Sequence, residues 1–175
     1  MTELRNEYVA LGHQVVVITP SDHFSDRIDE SGVREIHVRA AKVPGWGGYR
    51  LISRRRQLKK LLTQIVPDVI EIHDQTTLWW LGTFARKIGA QSFVFSHESL
   101  SQLLASHLKN SWLANRLADT HHKRIARGTR HFICASQFAA RELRRIGVEP
   151  IQISLGVDHE QFGSDQEIGN AADQL

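Results

Sequence analysis

A chain of 175 residues, 41% hydrophobic and 23% charged, has the size and make-up of one ordinary globular domain with a buried core. Its net charge of +3 is too small an excess for a dedicated nucleic-acid binder, and no apolar run approaches the roughly 18–20 residues of a membrane-spanning helix. Cys134 is the single cysteine, which excludes an internal disulfide and a zinc–thiolate centre and fits a reducing interior.

The first residues (MTELRNEYVALGHQ) carry two acids and no apolar core, so they do not read as an export signal. Leu4, Tyr8 and Leu11 recur at helical spacing and predict a helix over 2–11, stopped by Gly12. Residues 14–19 (QVVVIT) form a continuous apolar strand closed by Pro20, of the kind buried on both faces of a parallel sheet. Residues 21–32 are polar and read as loop, and 33–38 as a weaker strand. The stretch KVPGWGGY at 42–49 is glycine-rich loop. Leu58, Leu61, Leu62 and Ile65 define one face of a helix over 51–66, ended by Pro67.

A strand over 69–73 follows, then a helix over 77–88 stopped by Gly89, and a strand over 92–95. Helices over 100–108 and 112–126 come next. A strand over 132–135, a helix over 138–146 capped by Ser136, and a strand over 151–154 complete the series. Short apolar strands alternating with helices predict an α/β domain, a Rossmann-like doubly wound parallel sheet. Such a domain opens with a strand and a glycine-rich turn before its first helix. This chain opens inside that helix, so the first strand is expected upstream of Met1. Residues 163–175 have little apolar content and read as a loose tail.

The candidate functional residues sit at strand ends and in two basic segments. His97 follows a buried strand, at the carboxyl end where open α/β sheets place ligands. An imidazole there can orient a hydroxyl or stabilise a departing anion; equally, it can cap a helix start. Glu98 beside it reads as a first-turn acid favoured by the helix dipole. His73 and Asp74 also end a strand, but neighbours on an extended chain point to opposite faces and do not form a pair. They line a site or make a plain turn, and Trp79-Trp80 read as core.

The glycines of residues 45–50 (GWGGYR) allow backbone to approach a ligand closely. Tyr49 and Arg50 can hold a polyol head group and its phosphate, or the segment is an exposed hairpin-like loop. Arg56, Lys59 and Lys60 fall opposite the apolar face of the following helix, with Arg54 and Arg55 at its edges. This is a solvated face or a surface for an anionic membrane. The histidines of 121–131 fit no zinc signature, and neither a Walker loop nor a GxSxG elbow occurs.

The order LGHQVVVITP at 11–20, PDVIEIHDQTTLWWLG at 67–82, SHESL at 96–100 and HFICASQFAARELRRIGVEPIQISLGVDHEQF at 131–162 resembles the N-terminal domain of GT-B glycosyltransferases of the retaining family 4. It is most similar to actinobacterial GDP-mannose-dependent α-mannosyltransferases of phosphatidylinositol mannoside and glycolipid synthesis. Gly156, Val157, Asp158 and Phe162 match the segment where one GT-B domain passes to the next, although Ser154-Leu155 stands where the family often has Pro-Asn. The resemblance implies an acceptor-binding domain over 1–155, an interdomain hinge over 156–162, and a donor domain beyond.

It further implies His97 as the catalytic residue, near the transferred sugar. Tyr49, Arg50, Asp74 and Glu98 would bind the acceptor. Arg54, Arg55, Arg56, Lys59 and Lys60 would face an anionic membrane, peripheral at the cytoplasmic side of the plasma membrane. The partners implied are a nucleotide sugar, GDP-mannose, and a glycolipid acceptor, with no nucleic acid, no metal and no resident cofactor. On these expectations the 175 residues are an acceptor-side fragment that does not transfer sugar alone. The rival reading is a non-catalytic Rossmann-like module that binds an anionic ligand or partner.

Overall fold

The computed structural model describes residues 2–44, 47–97 and 99–153. They divide into two units: residues up to Val94 with Arg124–Arg130, and Phe95–Lys123 with the residues from His131 onward.

The first unit begins with α1 (Thr2–Ala10), and Gly12 at φ +86° turns the chain out of it. Strands β1 (Val16–Ser21), β2 (Ser25–Ile28) and β3 (Arg34–Arg39) form a sheet in the order β1-β3-β2. β1 runs parallel to β3, and β2 antiparallel. β2 lies where the polar composition predicts only loop. Cross-strand charges hold it: Arg27 stands opposite Glu35 in register and donates to it at 2.6 Å, and Arg34 donates to Asp26 at 2.7 Å.

The apolar run in β1 is not buried on both faces as its composition predicts. Its residues are half-buried because β1 is an edge of this sheet, while Ile36 and Val38 of the central β3 are fully enclosed. Pro20 continues β1 rather than closing it, opposite Val38, as an edge position permits.

Strands β4 (Ala41–Lys42) and β5 (Arg50–Leu51) pair antiparallel, and Val43 N–H donates to the Tyr49 carbonyl at 2.8 Å. The glycine-rich loop is therefore carried on a hairpin. That hairpin delays α2 (Arg55–Ile65), which buries Leu58 and Leu62. Val66 stops it at φ +51°, since the following Pro67 bars the right-handed helical conformation at Val66. Strand β6 (Val69–Ile72) leads to α3 (Leu81–Lys87) and β7 (Gln91–Ser96), and β6 and β7 are parallel, with Ile70 beside Ser92.

The second unit takes the last two residues of β7, Phe95 and Ser96, then α4 (Leu100–Leu108) and most of α5 (Ser111–Ala126). It continues with β8 (His131–Cys134), α6 (Gln137–Arg145) and β9 (Ile151–Gln152). β8 and β9 are parallel, with Ile133 beside Ile151. The core here includes Phe132, Cys134, Ala139, Ala140 and Leu143. Ser136 caps α6 as expected, its hydroxyl accepting from Ala139 N–H at 3.2 Å.

Three parallel strand pairs, two of them joined through a helix as β6–α3–β7 and β8–α6–β9, confirm the α/β class read from the alternation. No helix of the described residues is long and apolar enough to cross a membrane. The expected hinge at 156–162, with Gly156, Val157, Asp158 and Phe162, and the tail at 163–175 lie outside the described residues.

Candidate functional site

In the first unit the carboxyl end of β6 carries a turn built by one side chain. Asp74 Oδ1 accepts from Thr76 N–H at 2.9 Å, Thr76 Oγ1 at 2.6 Å and Thr77 N–H at 3.2 Å. Its Oδ2 accepts from the Thr77 hydroxyl. This Asx-type turn explains why α3 starts at Leu81 and not at Thr77. Tyr49 Oη lies 3.3 Å from Thr76 Oγ1. The hairpin and the β6 turn are thus joined through Tyr49, Thr76 and Asp74.

Arg50 is fixed from two sides. Its Nη1 donates to the Ala40 carbonyl at 3.1 Å, and Nη2 is 3.6 Å from Asp22 Oδ2. His73 pairs with a carboxylate two residues back on the same strand face: Nε2 is 3.6 Å from Glu71 Oε2. Glu71 Oε1 also accepts from Tyr8 Oη at 2.7 Å. Burial works to raise the Glu71 carboxyl, but the bonds from His73 and Tyr8 hold it below its ordinary value. Burial, together with this bond, pushes the Tyr8 hydroxyl up to about 12.

The basic residues Arg54, Arg55, Arg56, Lys59 and Lys60 are all exposed. Two of them lie against aromatic rings. The Arg55 guanidinium sits 4.7 Å from the centroid of Trp79, and Lys59 Nζ sits 5.2 Å from Trp80 and 5.5 Å from Phe84. Arg124 approaches the same Trp79 ring at 3.5 Å. Trp80 is core, only 7% exposed, whereas Trp79 is half-buried beneath its cations. A shallow, open depression at the start of α2 is lined by Ser53, Arg54, Arg55, Arg56 and Gln57.

In the second unit His97 is exposed just past β7 and stacks on Phe95, with centroids 5.9 Å apart and planes at 16°. Glu98 lies outside the described residues. Ser99 then caps α4, accepting from Gln102 N–H at 3.2 Å. Glu142 of α6 reaches the same helix start. Its carboxylate accepts from Ser99 Oγ at 2.6 Å, Ser101 N–H at 2.9 Å and Leu100 N–H at 3.0 Å. His122 Nδ1 is 4.0 Å from it. Among the described residues no group of three or more His, Cys, Asp or Glu side chains gathers as metal ligands would.

The sequence profile of the glycosyl transferase 4-like domain matches residues 1–155. The chain belongs to this family. Two curated relatives carry the name GDP-mannose-dependent alpha-(1-6)-phosphatidylinositol dimannoside mannosyltransferase, from Mycobacterium tuberculosis strains ATCC 25177 / H37Ra and CDC 1551 / Oshkosh. Each is 32% identical over 157 residues, which is 89% of this chain and 41% of the relative. The chain thus spans about two-fifths of the length of the relatives it matches. The resemblance read from the four motif blocks therefore holds at the level of the family.

Within this glycosyl transferase 4-like domain, the expected acceptor residues Tyr49 and Asp74 meet through Thr76. Asp74 spends both oxygens on its own turn, so it shapes the loop and is not presented bare. Arg50, beside Tyr49 in the chain, is directed to Asp22 and Ala40. His97 belongs to the other unit. Sequence reasoning missed Asp22, because residues 21–32 read as featureless polar loop. It also missed the partner of His73, which is Glu71 at spacing two, the strand period. Glu142 carried no local signal, since its partners lie 41–43 residues upstream.

Proposed function

We propose that this chain is the acceptor-side domain of a membrane-associated hexosyltransferase that moves mannose from GDP-mannose to a glycolipid acceptor with retention. The observation carrying this reading is the 32% identity, over 89% of the chain, to proteins named as GDP-mannose-dependent phosphatidylinositol dimannoside mannosyltransferases. Retention follows the likeness to the retaining family 4. Family membership also weighs against the non-catalytic module.

In this reading catalysis rests on positioning and on stabilising the leaving diphosphate. His97 contributes by orienting the acceptor hydroxyl or bonding the developing charge. Tyr49 and Arg50 grip the acceptor head group, Asp74 sets the turn that meets Tyr49, and Glu98 adds an acid beside His97. Arg54, Arg55, Arg56, Lys59 and Lys60 face an anionic leaflet. On the likeness to GT-B enzymes the donor is held by a second domain, and the proposal is that these 175 residues bind acceptor without turning over donor.

Radiolabelled GDP-mannose with a phosphatidylinositol mannoside acceptor tests this. The isolated chain gives no labelled lipid, and the chain joined to the donor half of the mycobacterial relative does. Clear turnover by the isolated chain refutes the acceptor-side assignment; a folded but inactive hybrid refutes mannosyl transfer. In the active hybrid, His97→Ala lowers kcat by about a hundredfold or more, and near-normal turnover removes His97 from the reaction.

A further inference from the structure

The carboxyl end of β1 holds a mixed cluster of charges whose chemistry has a specific use. Asp22, just past that end, is 69% exposed and is shared between a histidine and an arginine. Its Oδ1 lies 2.6 Å from His23 Nδ1, and its Oδ2 lies 3.6 Å from Arg50 Nη2. Ser21 Oγ donates to the same carboxylate at 3.3 Å. The His23 ring stands edge-on to His37, with centroids 6.0 Å apart. His37 lies beside Thr19 of β1 and Ser25 of β2 in the sheet. Its Nδ1 is buried with no hydrogen-bond partner among the described residues.

Four features separate this cluster from a casual surface ion pair. β1 and β3 are parallel and end together, and ligands of open α/β sheets bind at the carboxyl ends of strands. Arg50 is 26% exposed and tethered to the Ala40 carbonyl, so its planar fork is held in place with further N–H donors to spend. Asp22 supplies carboxylate acceptors at the surface, the group that takes hydrogen bonds from sugar and cyclitol hydroxyls. The neighbouring Tyr49 is already tied to the β6 turn through Thr76.

We propose that Asp22, His23 and Arg50 form a polyol-phosphate site, in which Arg50 and His23 take the phosphate and Asp22 takes ring hydroxyls. Phosphate alone satisfies the N–H donors of Arg50 and His23 but leaves the carboxylate facing an anion; a neutral polyol satisfies only the carboxylate. A phosphorylated polyol satisfies both, so the cluster selects the combination. This rests on the acceptor-side reading above and adds Asp22 and His23 to the residues that recognise the acceptor head group.

The test is NMR titration of the isotope-labelled 175-residue chain with myo-inositol 1-phosphate, myo-inositol, glycerol 1-phosphate and inorganic phosphate, each alone. Inositol phosphate is expected to shift the Ser21–Phe24, His37 and Arg50 signals, and to bind about tenfold more tightly than phosphate or inositol. Asp22→Asn removes the advantage over phosphate, and Arg50→Gln removes the advantage over inositol. Asp22 is exposed, so an unchanged spectrum elsewhere certifies the fold. Shifts confined to Tyr49 and Thr76, or binding indifferent to Asp22→Asn, overturn this site while leaving the acceptor-side reading intact. Glycerol phosphate binding at Asp22 with no inositol phosphate binding supports the site and overturns the phosphatidylinositol mannoside acceptor. Equal binding of phosphate alone overturns the site as an anion-only surface.

Discussion

Glu142 and His122 show how much of this chain's chemistry lies in groups that face each other across the fold. Both are buried, at 4% and 1% exposure. Burial penalises charge on either, and it holds His122 neutral below its ordinary value of 6.5. For Glu142 burial is opposed by the bonds from Ser101 and Ser99, which win and depress the carboxyl below 4.5. The sign is the same for the two groups. The unfolded chain binds their protons at higher pH than the folded chain does, so stability is present above the unfolded values and is lost as pH falls. The loss begins near pH 6.5 with His122 and continues below 4.5 with Glu142. Denaturant unfolding across pH 7.5 to 4 should show it, with a slope of at most about 1.4 kcal/mol per pH unit from one proton. His122→Leu should flatten the limb between pH 6.5 and 5; an unchanged slope there would show that His122 is not the group responsible. In sequence nothing sets Glu142 apart, and only the folding of α6 against the start of α4 makes it a buried acceptor.

At the scale of elements, success and failure of the sequence reading divide by range. The cap of α6 was legible because Ser136 bonds a group three residues away, and α4 lies at the bounds expected, 100–108, although its cap Ser99 was not read. β2 was not, because charge pairs with β3 hold it in place of an apolar period. The start of α3 was displaced by a turn whose signal, Asp-x-Thr-Thr, is local but competes with the apolar run behind it. For the candidate site the strand ends were readable, but the link from Tyr49 through Thr76 to Asp74 was not. The packing of α3 on the segment after α5 gives an element-scale prediction. A Cβ on Gly82 would stand 1.9 Å from Thr129 Oγ1, and one on Gly128 would stand 2.8 Å from the Thr83 backbone nitrogen. Thr129 is buried, and both added methyls also meet backbone of the facing segment. Gly82→Ala and Gly128→Ala should therefore each cost about 1–3 kcal/mol, read as the shift in the urea midpoint. An unchanged midpoint in either variant would mean that the Gly128 segment moves freely against α3.

For the molecule as a whole, the charge of +3 is modest, and its placement matters more than its sum. α2 presents Arg55, Arg56, Lys59 and Lys60 together, with Arg54 just before it. These five cations are not equivalent. Arg55 and Lys59 lean on Trp79, Trp80 and Phe84, so replacing them disturbs packing as well as charge. Arg56 and Lys60 are one helical turn apart and exposed, and they report on charge alone. Each basic side chain near an anionic leaflet contributes about 1 kcal/mol. Reversing both, Arg56→Glu with Lys60→Glu, should weaken binding to vesicles containing phosphatidylserine by at least about thirtyfold while leaving thermal stability nearly unchanged. Arg55→Glu with Lys59→Glu should weaken binding and lower the melting temperature together. Co-sedimentation with neutral and anionic vesicles, alongside a melting curve for each variant, separates the two effects. Equal binding of the unaltered chain to both vesicle types would make α2 a solvated face, the ordinary meaning of a charge run.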